Sequence, residues 1–217
     1  MNIEQARFNM IEQQIRPWNV LDVSVLELLT IVKRENFLPA NQKSLAFMDT
    51  ELPLADGSLM LTPKVEARIV QDVAIKKHES ALVVGSGTGY LPALLAVHAR
   101  HITCVEASQP VFAFARSALQ REGASNVNLV EGDASNGWQS DAPYDVIVLS
   151  GSVPTLPDAF KQQLKVGGRL FVIIGEAPVM TAYLITRTGT ADYATKALFD
   201  TNVPAMANAA PVSEFSF

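Results

Sequence analysis

Three glycines, each separated by one residue, follow a short apolar run in the segment ALVVGSGTGYL, residues 81–91. Glycine at these positions permits positive φ and lets backbone N–H groups approach a ligand with no Cβ in the way. Glu106 stands 17 residues after Gly89, at the end of the next apolar run, where a carboxylate can hold both hydroxyls of a ribose. Asp133 ends a third such run, where a carboxylate and backbone can meet an adenine amino group. Together these features predict a site for an adenosine cofactor.

The spacing of the glycines favours one cofactor over another. The dinucleotide fingerprint is Gly-x-Gly-x-x-Gly, which aims a helix N-terminus at a pyrophosphate. Here the spacing is Gly-x-Gly-x-Gly, and the chain lacks a convincing second mononucleotide-binding half. S-adenosylmethionine, which has no phosphate, is therefore the predicted cofactor.

The elements that must position these residues alternate between strands and helices beyond His78. Nearly all-apolar strands separated by helices are what a parallel sheet covered on both faces requires. The pattern predicts the strands ALVV, ITCVEA, VNLVEG, YDVIVLS, GRLFVII and AYLITRT, with helices from about Tyr90, from about Pro110 to Glu122 and near Pro157 to Leu164. We therefore expect a doubly wound, mostly parallel α/β sheet of Rossmann-like type over residues 79–217.

The first 78 residues show helical periodicity instead. Apolar spacing predicts a helix from Asn2 to about Arg16, ended by Pro17, and a second helix capped by Asp22. A third helix is predicted to begin at Pro63, with Thr62 as its N-cap. We expect residues 1–78 to form a helical cover and a substrate loop that share one globular unit with the α/β part.

Composition bounds the function classes. The 217 residues are 48% hydrophobic and carry a formal net charge of -5, so we expect no nucleic-acid partner. The start MNIEQARFNMIEQQ lacks a signal-peptide pattern, and no apolar stretch approaches the ~20 residues of a membrane span, so we expect no membrane association and a cytoplasmic protein. Cys104 is expected to be a buried strand thiol. His98 and His101 lie three apart with no third ligand nearby, so no metal site is expected.

Several longer segments are more specific than the glycine loop. MIEQQIRPWNVLDVSVLELLTIVKRENFLP, GDASNGW and APYDVIVLSGSVPTLPDAFKQQLKVGGRLFVIIGE resemble, in order, segments of the protein-L-isoaspartate O-methyltransferases, a family of class I S-adenosylmethionine-dependent methyltransferases. LFDTNVPAM is similar to that family's closing Val-Pro-Leu strand. The resemblance covers roughly residues 7 to 206. It implies methyl transfer from S-adenosylmethionine to a carboxylate of isoaspartyl residues in damaged proteins, as part of protein repair.

The resemblance also implies site residues. The cofactor's amino-acid portion would be lined by Gly85, Ser86, Gly87 and Gly89. Glu106, followed by Ala107, would bind the ribose, Asp133 and Ala134 would flank the adenine, and Ser150 would sit near the departing methyl. The tail NAAPVSEFSF, outside the resemblance, is expected either to pack back as a strand-like cap or to pair with a partner. The sequence does not indicate an oligomeric state.

The substrate loop departs from the family pattern. That pattern runs Pro-Ile-Gly-x-Gly-Gln-Thr-Ile-Ser-x-Pro, with the Thr and Ser helping to hold the isoaspartyl group, whereas this chain reads PLADGSLMLTP from Pro53 to Pro63. Ser58 replaces the Gln, Leu59 the Thr and Leu61 the Ser. Asp56 adds a negative charge beside a pocket for an anion. Thr62 offers a hydroxyl one position later, although a helix cap is the simpler prediction.

Three hypotheses follow from this departure. The first is an isoaspartyl methyltransferase with a rebuilt loop. The second is a methyltransferase of the same fold that acts on a different, more apolar acceptor, including a small molecule. The third is a non-catalytic homologue that binds the cofactor.

Overall fold

The computed structural model describes residues 2–209 and contains nine strands within that range. Two of them form a small separate hairpin, and the other seven form one sheet in the order β5-β4-β3-β6-β7-β8-β9. In chain order the strands are β1 (Leu52–Pro53), β2 (Leu59–Met60), β3 (Ser80–Val84), β4 (His101–Glu106), β5 (Val127–Glu131), β6 (Tyr144–Val153), β7 (Leu164–Glu176), β8 (Val179–Arg187) and β9 (Tyr193–Thr201).

The helices lie before the sheet strands or between them. They are α1 (Ile3–Met10), α2 (Val23–Ile31), α3 (Pro63–Val73), α4 (Tyr90–His98), α5 (Gln109–Arg121) and α6 (Asp158–Gln162). Local chemistry explains the start of α2. The predicted cap of α2 is confirmed, because the Asp22 carboxylate accepts a hydrogen bond from the Ser24 N–H at 2.9 Å.

The predicted doubly wound, mostly parallel sheet is confirmed. The five strands from β5 to β7 are parallel, and β8 and β9 continue the sheet in antiparallel pairing. The chain runs outward from β3 through β4 to β5 and then returns to the other side of β3 as β6. This reversal opens a crevice outside the carboxyl ends of β3, β4 and β6, the place where doubly wound folds bind ligands.

The predicted first helix is wrong in its regularity and in its end. Only Ile3–Met10 is α-helical, and the chain continues through a π-helical segment, Ile11–Ile15, into a 3-10 turn, Arg16–Trp18. Pro17 does not end the helical run. It lies near the start of the 3-10 turn, where a missing N–H costs nothing, and the turn ends at Asn19, which is left-handed with φ of 60°.

The C-terminal elements also differ from the prediction. The strand β9 lies earlier than the closing strand expected in LFDTNVPAM, since it ends at Thr201. Beyond it, Ala205 makes only an isolated parallel bridge to Ser152 of β6. The helix expected to reach Leu164 ends at Gln162, because Leu164 already begins the buried strand β7. Residues 210–217 of the predicted tail cap lie outside the described residues.

The N-terminal helices pack against the sheet through apolar and aromatic contacts. Ile15, Phe37 and Ile69 are fully buried in the same core as strands β3 and β4. The Trp18 ring meets the Phe199 ring of β9 edge to face, with centroids 5.9 Å apart. In the part of the chain that the structure describes, no helix combines the length and apolarity that a bilayer crossing demands.

Candidate active site

The loop between β3 and α4 carries the predicted glycines with positive φ, a backbone conformation that L side chains rarely adopt. Gly85 has φ of +85°, and a Cβ built on it would overlap the Oγ of Ser150. Gly89 has φ of +90°, and its Cβ would lie 3.3 Å from the Ala115 carbonyl oxygen of α5. A side chain at either position would therefore meet both steric and conformational opposition. Gly85 faces the crevice, whereas Gly89 sets the contact between the loop and α5.

The carboxylate of Glu106 is tied to this loop from the end of β4. Its Oε2 accepts hydrogen bonds from the Ser86 N–H at 2.7 Å and from the Ser86 hydroxyl at 2.8 Å. Its Oε1 accepts one from the Ser108 N–H at 3.0 Å. Glu106 is buried, so these bonds satisfy a carboxylate that would otherwise be costly to remove from water. They also fix the carboxylate beside the glycine loop.

Ser150 owes its position to an irregularity in β6. The β6–β7 register shifts between Val148 and Ser152, and a bulge of this kind re-aims the side chains within it. The Ser150 hydroxyl lies within hydrogen-bonding distance of the Val84 and Gly85 carbonyl oxygens, at 2.9 and 2.8 Å. Ser150 therefore anchors the glycine loop and also lines the crevice.

A cleft of about 180 Å³ brings most of the predicted residues together. Its wall includes Gly85, Ser86, Gly87, Glu106 and Ser150 from the sheet side, and Asp56, Ser58, Leu59 and Leu61 from the substrate loop. Gly89, Ala107, Asp133, Ala134 and Thr62 do not line it. The wall carries three carboxylates, of Asp56, Glu66 and Glu106, and none of its residues is Lys, Arg or His.

Asp133 lies beyond this cleft in a separate set of contacts. Its Oδ1 accepts a hydrogen bond from the Ser135 N–H at 2.8 Å, which lowers the pKa of the exposed Asp133 carboxyl. Its Oδ2 accepts one from the Asn208 side-chain amide at 3.1 Å. The next residue, Ala134, is buried. The two predicted adenine-flanking residues thus lie together, with a C-terminal residue held against one of them.

The C-terminal segment, Pro204–Asn208, crosses the end of β6 beside the cleft. The Ser152 N–H donates to the Pro204 carbonyl at 2.9 Å, and the Met206 N–H donates to the Ser152 carbonyl at 2.9 Å. Gly151 permits this approach, since a Cβ there would lie 2.9 Å from the Met206 Cγ. Residues of the segment form part of the cleft wall. The resemblance of VPAM to a closing strand was the one indication of this contact in the sequence.

The substrate loop is built on the hairpin of β1 and β2. Asp56 accepts hydrogen bonds from the Ser58 N–H at 3.0 Å and from the Ser58 hydroxyl at 2.6 Å. Burial opposes its ionisation, but the bonds from Ser58 and Ser108 outweigh burial and lower the pKa of Asp56. The Ser58 hydroxyl proton is thus already used in a hydrogen bond to Asp56. Leu59 is 40% exposed, whereas Leu61 is buried.

Thr62 departs from the predicted role. It occupies the N-cap position of α3 with extended backbone, but its side chain makes no capping hydrogen bond. Its hydroxyl oxygen is instead buried with no hydrogen-bond partner among the described residues. The prediction of the N-cap position was right and the prediction of a side-chain cap was wrong, because the tertiary packing around the loop turns the hydroxyl inward.

A buried ion pair beneath the cleft was missed from the sequence. Arg34 Nε lies 3.0 Å from Glu66 Oε2, and Arg34 also donates to the carbonyls of Ala46 and Leu61. Burial raises the pKa of Glu66 to about 7, although Arg34 opposes the shift. One signal was present, because Glu66 lies three residues before Ile69 on the apolar face of α3.

The comparisons with known proteins agree with this geometry. Residues 5–207 match the family model described as Protein-L-isoaspartate(D-aspartate) O-methyltransferase (PCMT). The chain is 35% identical over 195 residues to protein-L-isoaspartate O-methyltransferase 1 of Rhodopseudomonas palustris (strain HaA2), across 89% of this chain and 80% of that protein. It is also 35% identical over 175 residues to the protein-L-isoaspartate O-methyltransferase of Geobacter metallireducens, across 81% of each.

A solved structure shows the same fold. That protein, from Plasmodium falciparum, is described as a protein-L-isoaspartate O-methyltransferase and was solved in complex with S-adenosyl-L-homocysteine. It has a TM-score of 0.81 and 18% identity to this chain, across 95% of this chain and 99% of that one. The sequence matches reach most of the chain and contain both the glycine loop and the substrate loop. This chain therefore belongs to the protein-L-isoaspartate O-methyltransferase family.

Proposed function

We propose that the protein is an S-adenosylmethionine-dependent O-methyltransferase that acts on the carboxylate of isoaspartyl residues in damaged proteins. The observation that carries the proposal is the Glu106 carboxylate, fixed beside the glycine loop at the carboxyl end of β4. It offers acceptor oxygens where a ribose would lie in a doubly wound fold. Family membership supports the same reading.

The residues present fit the cofactor. Gly85 keeps side-chain atoms out of the cleft, and a Cβ there would fill the space next to Ser150. Gly85, Ser86 and Gly87 would hold the amino-acid portion, Glu106 with Ala107 the ribose, and Asp133 with Ala134 the adenine. The cleft's carboxylates suit a ligand with a positive centre. When bound, S-adenosylmethionine supplies a methyl group on a positively charged sulfur.

The chain's own task in this chemistry is mainly alignment. An acceptor carboxylate with a pKa near 4 is already ionised at pH 7, so no general base is required. Holding oxygen, carbon and sulfur in line supplies much of the rate increase. The leucines at positions 59 and 61 give the cleft an apolar wall on the side of the substrate loop.

The deciding test uses labelled methyl groups. A peptide with one isoaspartyl residue should accept label from S-adenosylmethionine, whereas the same peptide with an ordinary aspartyl residue should not. Glu106→Gln should weaken cofactor binding, seen as a smaller rise in Tm with S-adenosylhomocysteine. Glu27→Gln, on the exposed face of α2, is the matched control and should behave as the wild type. Binding of the cofactor without transfer to any acceptor would support the non-catalytic hypothesis instead.

One observation favours a second candidate, a methyltransferase for a more apolar acceptor. Leu59 and Leu61 stand where the family pattern has Thr and Ser, and Leu59 exposes its side chain at the cleft. If the wild type fails to methylate the isoaspartyl peptide while Leu59→Thr with Leu61→Ser gains that activity, the second candidate is correct. Methylation by the unaltered chain would exclude it as the main function.

We also propose a cytoplasmic location, because the proposed substrates are damaged proteins of the cell itself. Fractionation followed by detection of the protein would test it. Recovery of the protein outside the cytoplasmic fraction would refute it.

A further inference from the structure

A second groove adjoins the cofactor cleft on the far side of Leu59. Its volume is about 460 Å³, and its lining includes Glu51, Ser152, Glu176 and Asn202. Leu59, Pro204 and Ala205 line both the groove and the cleft, so these three residues form the partition between them. A molecule lying in the groove would therefore reach the cofactor over this partition.

The groove carries two carboxylates that nothing in the described chain neutralises. Within residues 2–209, neither Glu51 nor Glu176 forms an ion pair, whereas Glu79 is paired with Arg169 and Asp145 with Lys165. Glu51 is half-buried, and burial raises its pKa with no compensating cation. No Lys, Arg or His lines the groove. A partly desolvated, uncompensated carboxylate favours a cationic ligand.

We propose that the acceptor peptide lies in this groove, and that Glu51 and Glu176 select peptides with a cationic side chain next to the isoaspartyl residue. The inference rests on the proposed function for the identity of the acceptor. The acceptor carboxylate is itself an anion approaching a wall of carboxylates, so a neighbouring Lys or Arg offsets the repulsion. A neighbouring acidic residue adds to it.

The test compares isoaspartyl peptides that differ only in one flanking residue, Lys, Gln or Glu. The wild type should use the Lys peptide with a kcat/KM about tenfold above the Glu peptide at low salt, since each exposed pair contributes up to about fivefold and repulsion adds to it. High salt should reduce the preference. Glu51→Gln with Glu176→Gln should nearly abolish it, and Glu176→Lys should reverse part of it.

Glu27→Gln is the control for the loss of one negative charge, since Glu27 is exposed and lines neither cavity. An equal use of the three peptides, or a preference that survives in the double variant, would overturn the inference. A preference that falls in Glu27→Gln by about half as much as in the double variant would also overturn it, because net charge alone would then be the cause.

Peptide binding to the protein loaded with S-adenosylhomocysteine, measured by fluorescence anisotropy, separates this inference from the proposed function. If no peptide is methylated, the proposed function fails, but the order of affinities still tests the groove. Tighter binding of the Lys peptide that depends on Glu51 and Glu176 supports the groove as a cationic peptide site. Absence of peptide binding overturns it.

Discussion

Replacement of Gly85 by alanine tests the central contact of the glycine loop. The new Cβ would overlap the Oγ of Ser150, and the backbone would have to hold φ of +85° with an L side chain. Left-handed backbone costs an alanine roughly 1–2 kcal/mol. Displacing Ser150 would also remove the hydrogen bond that its single hydroxyl proton shares between the Val84 and Gly85 carbonyls, worth about 1 kcal/mol in all. We expect the unfolding free energy to fall by about 2–3 kcal/mol.

Thermal unfolding measures the loss directly. In a chain of this size each kcal/mol lowers Tm by roughly 2–4 °C, so Gly85→Ala should lose roughly 4–12 °C. Gly87→Ala is the matched control, because Gly87 has φ of +52° and nothing lies within 4 Å of its built Cβ. It should lose only the conformational part, roughly 1–2 kcal/mol.

A compensating substitution makes the reasoning refutable. Removing the Ser150 hydroxyl leaves the Ser150 Cβ as the nearest atom, 3.7 Å from the new Cβ, which is ordinary van der Waals contact. Gly85→Ala with Ser150→Ala should therefore be more stable than the sum of the two single changes by at least about 1 kcal/mol. If the two changes are additive, or if Gly85→Ala is no worse than Gly87→Ala, the overlap with Ser150 does not explain the glycine.

Three further predictions concern the loop, the buried pair and the C-terminal segment. Thr62→Val should leave the free energy of unfolding in urea unchanged or raise it by up to about 1 kcal/mol, since the buried hydroxyl has no hydrogen-bond partner among the described residues. A loss of about 1 kcal/mol would indicate that the Thr62 hydroxyl does cap helix α3. Glu66 has a folded pKa of about 7 against an ordinary 4.5, so the folded state binds the extra proton between these values and stability falls as pH rises through that window. The loss should approach roughly 3 kcal/mol by pH 8, and a wild-type pH profile as flat as that of Glu66→Gln would contradict it. Asn208→Gly should strengthen binding of S-adenosylhomocysteine by up to about tenfold in calorimetry, because the Asn208 side-chain amide is hydrogen-bonded to the Asp133 oxygen that is expected to meet the adenine. Weaker binding would show that Asn208 assists the ligand.

The cofactor side of the site could be predicted because its signals are local. Gly85 and Gly87 follow directly after a buried strand, and Glu106 ends the neighbouring parallel strand, so the sheet itself brings them together. The order of apolar and helical segments likewise sufficed for the parallel part of the sheet.

The remaining features depend on contacts between distant parts of the chain. Arg34 and Glu66 are 32 residues apart, and Asn208 and Asp133 are 75 apart, so no local pattern reports either contact. The closing strand was predicted too late in the chain, because much of β9 is exposed and it lacks the apolar run that marks the inner strands. Thr62 shows the converse case, in which a correct local preference is overridden by packing.

The contact between Trp18 and Phe199 has a consequence for how the chain folds during its synthesis. Arg68 lies over the same Phe199 ring, 4.5 Å from its centroid, so two segments of the N-terminal cover share a partner near the end of the chain. A ribosome adds roughly 5–20 residues per second, which leaves the cover without this ring for about ten seconds or longer after Trp18 emerges. Until then its apolar surface is a target for chaperones, and the last strand completes the fold of the first helices.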